Sequence, residues 1–186
     1  DRVNRGGTQL NNQEMRNALY IGQSTKLLEK LSKAKEFKQA TGNGIKSVRS
    51  RDQYVILRFL AFYLLRTGKL NFDYKSNIDE FLAETMKHIN AMEKDRVQIL
   101  QDIFLQAMKY SYEVLGADGF RFAPNNVNRR PVNMALFETI SYFFAICDTD
   151  GLNQEQLRID LNRLKNEFDQ SGYFSSNVDT KTSVEY

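Results

Sequence analysis

The residues best suited to chemistry come first. Arg2, Asn4 and Arg5 supply hydrogen-bond donors matched to phosphate or carboxylate, while Gly6 and Gly7 let the backbone turn through positive φ or approach a ligand closely. A tight turn flanked by solvated arginines would use the same residues. A second cationic feature follows. Residues 26 to 51 hold eight basic side chains against Glu29 and Glu36, a local excess of six positive charges in a chain whose net charge is +3. Lys26, Lys30, Lys33, Lys38, Arg49 and Arg51 are its candidates for contact with a nucleic-acid backbone. Side chains of this kind neutralise phosphates with little base specificity. Phe37 is the one aromatic residue within this run, which favours a duplex backbone over a single strand stacked on rings. A solvated helix face is the competing reading.

Other candidates are weaker. Arg58 sits within an apolar stretch, where an unpaired charge is costly, so a carboxylate or backbone carbonyls must meet it. Arg121, Arg129 and Arg130 fall in an irregular segment of the sort that carries binding groups. Asp148 and Asp150 resemble the start of a calcium loop, but the twelfth position is Ile159 rather than a glutamate. His88 is the only histidine and Cys147 the only cysteine, so neither a structural zinc site nor an internal disulfide is expected, and a reducing, cytoplasmic setting is. No catalytic constellation, bound metal or cofactor is expected of this chain.

The elements that position these groups are helical. Two prolines in 186 residues, 41% hydrophobic content and apolar spacings of three and four predict one all-α domain over residues 1–172, an irregular bundle of six to eight helices, with residues 173–186 as a tail or connection. Asn11 and Glu14 form a capping box for the first helix, with Leu10 and Met15 as its staple, and Ser24 is expected to cap the second. Thr41 to Gly44 breaks the chain. The stretch Tyr54 to Leu65, apolar on nearly every side, is the expected central helix. Ser76 and Asp79 mark the next start, and residues 78 to 115 form either one long helix or two joined near Asn90 to Lys94. Phe120 to Phe122 is expected to be a short extended piece, Pro131 to open the following helix, and Asn153 with Gln156 to box the last. No apolar run approaches the roughly 20 residues of a membrane span.

Asn4, Gly7, Leu10, Glu14, Asn17 and Ala18 follow a pattern Asn-x-x-Gly-x-x-Leu, then an acidic residue and Asn-Ala on a helix. In this the chain resembles the amino-terminal domain family of the GmrSD-type restriction endonucleases. Weaker echoes lie at Phe120-Arg-Phe122, Asn133-x-Ala-Leu-Phe137 and Thr180 to Tyr186. The resemblance implies a ParB-like core with an Asp-Gly-Gln-Gln-Arg motif, use of a nucleotide and a divalent metal by the whole protein, and attack on foreign DNA. That motif does not occur in this sequence. The resemblance therefore implies that the nuclease-like core precedes Asp1 and that this chain is the helical part supporting it, with weak phosphate-mediated DNA contacts. The alternative is a helical scaffold that binds a partner protein or a second copy of itself without touching DNA, recognisable by an exposed apolar groove.

Overall fold

The computed structural model describes residues 9–123, 128–148 and 151–172. The tail at 173–186 lies outside them. Among the described residues there are eight α-helices and no strand, so the chain is all-α. The helices are α1 (Asn12–Leu19), α2 (Gln23–Lys33), α3 (Lys35–Ala40), α4 (Arg51–Arg66), α5 (Ile78–Ala91), α6 (Lys94–Leu115), α7 (Met134–Ile146) and α8 (Gln154–Ser171). Short 3₁₀ turns occupy Val48–Ser50 and Gly116–Asp118.

Every residue of α4 from Val55 to Leu64 is buried. A helix that is apolar all round needs neighbours all round, and α4 packs on α1, α2, α5 and α7. Phe62 meets Tyr74 and Phe81, and Phe59 meets Phe104 edge-on at 5.1 Å. The long α6 buries Leu100, Phe104, Ala107, Met108 and Val114 along one face and packs on α2, α3, α7 and α8. The charge inside α4 is met as its surroundings require. Arg58, 2% exposed, pairs with Glu138 of α7, donates to Tyr54 Oη at 3.1 Å, and lies over the Tyr54 and Phe62 rings.

Helix ends show where local rules held and where packing displaced them. The Asn11 and Glu14 capping box forms, although Leu10 and Met15 stay exposed. Ser24 does not cap α2; it is the second residue of that helix, and its backbone N–H donates to Asn90 Oδ1 of α5 at 2.8 Å. Asn90 Nδ2 donates in turn to Tyr20 O, and Gln23 Nε2 to Met92 O at 2.8 Å, so α2 and α5 cap each other. Gly22 is required by this approach, because a Cβ there would stand 2.4 Å from Asn90 Oδ1. The same contacts explain why 78 to 115 is two helices: the Met92 carbonyl is turned out to Gln23, and Met92 and Glu93 are extended.

Four other places differ from the sequence expectation. Asn77 rather than Ser76 caps α5, accepting from Glu80 N. Phe120 to Phe122 forms a turn, closed by Arg121 N donating to Asp118 O at 3.0 Å, and drives both phenylalanines into the core. Pro131 lies outside α7, because Asn133 supplies the cap to Leu136 N and its own N–H is held by Phe120 O. At α8, Asn153 accepts from Glu155 N and Gln156 N, but the Gln156 side chain turns to Asp160 and leaves the box half made.

Replacing the fully buried Leu60 with Ala should lower unfolding free energy by about 2 to 5 kcal/mol, read from chemical denaturation. Glu138→Ala removes the carboxylate paired with the buried Arg58 and should cost about 3 to 5 kcal/mol by the same measurement; the paired substitution of Arg58 and Glu138 by apolar residues should recover most of that loss.

Candidate nucleic-acid interface

The polar surface beside α1 is built from its cap outward. The Asn11 side chain accepts from Glu14 N and donates through Nδ2 to Arg49 O at 2.8 Å, while the Glu14 carboxylate accepts from Asn11 N at 2.8 Å. Arg49 returns the contact. Its guanidinium donates to Gln9 O at 2.5 Å and to Glu14 at 3.2 Å. The hydrogen bond from Asn11 N and then the Arg49 guanidinium hold the Glu14 carboxyl below its ordinary value. Arg49 and Ser50 both take positive φ, 54° and 57°, a conformation that costs non-glycine residues of order 1 kcal/mol each. The strap of bonds to Asn11 and Gln9 keeps the turn there.

Arg16 points inward from α1. It is 5% exposed, with Nε donating to Gln13 Oε1 at 3.1 Å, NH1 to Asp79 Oδ1 at 2.8 Å, and its plane 5.9 Å from the Tyr54 ring centroid. Its remaining terminal nitrogen is buried without a hydrogen-bond partner. Asp79 also accepts from Asn12 Nδ2 at 2.6 Å. Arg16, Arg49, Arg51 and Tyr54 together line an open cleft of about 620 Å³.

The sequence-derived cations fall into separate places. Arg49 and Arg51 share the α1 cleft. Lys33 and Lys38 line an adjoining depression of about 480 Å³ together with Lys46. Lys26 and Lys30 are exposed on α2 and line neither. Lys33 is bound by Glu29 at 2.6 Å, one turn away on the surface. The loop residues Arg2, Asn4, Arg5, Gly6 and Gly7 lie outside the described residues. Arg16 is the member that reading along the sequence missed; its signal was an arginine inside a helix whose neighbours Gln13 and Asn17 are also polar. No group of three or more His, Cys, Asp or Glu able to hold a metal occurs among the described residues, and none of their helices is long and apolar enough to cross a membrane. Chemically, the cleft offers positive charge and donors to an anion, without a nucleophile or paired carboxylates in a reactive arrangement.

Asn11→Ala removes both the cap and the bond to Arg49 O, and should cost about 1 to 2 kcal/mol in urea denaturation, with faster amide exchange confined chiefly to α1. Comparison with protein-family models, with curated proteins and with solved structures returns no match to this chain.

Proposed function

We propose that this chain is the helical part of a GmrSD-type restriction or phage-defence protein, that it supports a nucleotide-dependent DNA-cleaving core, and that its own surface holds nucleic-acid phosphates along α1, α2 and the turn before α4. The observation that carries the reading is Arg16, a buried guanidinium with an unpartnered nitrogen in a cleft beside Arg49 and Arg51. A buried donor without an acceptor, on a residue that lines a cleft, suits an anionic partner. The lysines of α2 and α3 extend the positive surface beyond it. The pattern from Asn4 to Ala18, which carries the family resemblance, runs directly into α1.

A scaffold without DNA contact is the second reading, favoured by exposed apolar residues at and just after the end of α1: Leu19 is 73% and Ile21 77% exposed. Scattered exposed residues are ordinary, but two so close together suit a docked protein surface. In the first reading the nuclease-like core covers these residues, and in the second a separate partner or a second copy does.

Salt separates them. If about four phosphates are neutralised, affinity for duplex DNA should fall with a log-log salt slope of about −3.6. Changing Lys26, Lys30 and Lys33 together to Ala should flatten that slope by about 2 to 3, and three charge removals on another face should leave it unchanged. An absence of duplex binding at low salt, or a triple variant that binds as the parent does, rejects the DNA contact in favour of the scaffold.

A further inference from the structure

A second cationic site lies where α8 crosses the end of α6, and it shares no residue with the α1 cleft. An open cavity of about 510 Å³ is lined there by Arg121, Arg129, Arg130 and Lys165, with Asp118 at its edge. Arg121 is 6% exposed and fixed from two sides, its terminal nitrogens donating to Thr41 O at 3.0 Å and to Arg130 O. Its Nε is buried and makes no hydrogen bond, although Asp118 Oδ1 is 3.2 Å away. Arg129 donates to the same Asp118 oxygen at 2.6 Å. Arg130 is paired with Asp169 at 2.6 Å and lies over the Phe122 ring. Lys165 is 8% exposed, and its ammonium has one hydrogen-bond acceptor, Asp118 O at 3.2 Å.

Four cations against the carboxylates of Asp118 and Asp169 leave two positive charges in surplus. Burial pushes Lys165 down to about 8, partly offset by Asp118. Burial and then the neighbouring Arg129 act in the same direction on Arg121. These groups crowd each other in a place partly removed from water, and a bound anion would relieve them. The surplus matches a dianion, Arg121 Nε and Arg129 Nε both face the Asp118 carboxylate, and Asn162 and Asn166, one turn apart on α8, add neutral donors. A cavity of this size suits a small molecule. Asp118, its side chain 65% exposed, holds the position that the anion would take.

We propose that the cavity between the end of α6 and α8 binds the phosphate group of a small phosphorylated ligand, with Arg121, Arg129 and Lys165 as its donors and Asp118 as the carboxylate the phosphate displaces.

The test is calorimetric titration of the full chain, at fixed ionic strength, with inorganic phosphate, pyrophosphate, adenosine monophosphate and adenosine triphosphate, with acetate as the singly charged control. Saturable binding is expected for the phosphates and not for acetate. Equal affinity for free phosphate and the nucleotides assigns the site to the phosphate group alone; tighter binding of the nucleotides assigns it to a larger phosphorylated molecule. Lys165→Met and Arg129→Gln should each weaken binding by about tenfold or more, as expected for losing a hydrogen bond to a charged group. Asn162→Asp, on the exposed side of α8, should weaken it too without touching the core. Asp118→Asn should tighten binding, an effect that a purely structural role for these arginines would not produce. Each variant's helical circular dichroism and thermal midpoint accompany its titration, and the two exposed changes, Arg129→Gln and Asn162→Asp, decide the outcome if Lys165→Met does not fold. No saturable phosphate binding, equal binding of acetate, or phosphate affinity unchanged in the two exposed variants overturns the proposal.

Discussion

The structure depends on how α4 is enclosed. A helix buried along its whole middle can carry a charge only if the enclosing element brings the opposite one, and α7 brings Glu138 to Arg58. This constrains the register of two helices 80 residues apart in the chain. Apolar packing alone tolerates sliding by a residue or a small rotation; a buried guanidinium paired with a carboxylate does not. Arg66, the last residue of α4, is drawn into the same arrangement, lying over the Phe62 and Tyr142 rings. Burial lowers its pKa and Glu138 partly restores it. Glu138 thus serves two cations.

Around that pair, loops are held by side chains that reach backbone groups far away in sequence. Gln23 and Asn90 cap each other's helices, Arg49 binds the chain before α1, and Arg121 and Arg129 reach the Thr41 and Gly42 carbonyls. Two glycines of the breaker after α3 lie against these arginines, and Gly42 also takes a positive φ of 54°. A Cβ at Gly42 would stand 2.1 Å from an Arg129 nitrogen, and one at Gly44 would stand 1.8 Å from an Arg121 nitrogen. Each bond satisfies a carbonyl at a helix end or turn that would otherwise need water. Such ties also hold the arginines in place, Arg121 in the interior and Arg49 and Arg129 at the surface.

The two cationic surfaces differ in construction. At α1 the positive groups spread from a cleft onto exposed lysines, and an extended polyanion could meet several of them at once. At the end of α6 they converge on one cavity. Long-range attraction belongs to the first and geometric selection to the second.

What the sequence determined by itself is the part governed by local rules: helical class, the apolar middle of α4, the Asn11 and Glu14 box, and the glycines that end α6 and α8 with φ of 68° and 65°. It also required a partner for Arg58, because desolvating a charge is costly wherever the partner comes from. It could not name Glu138, place Asn90 in front of Ser24, exclude Pro131 from α7, or divide the basic run of residues 26 to 51 between neighbouring depressions. Nor could it mark Arg16 and Arg121 as buried guanidiniums with unsatisfied nitrogens. Those outcomes were decided by tertiary structure: a side chain from a distant helix competes with the local cap or turn, and the better-packed arrangement wins when both cannot form.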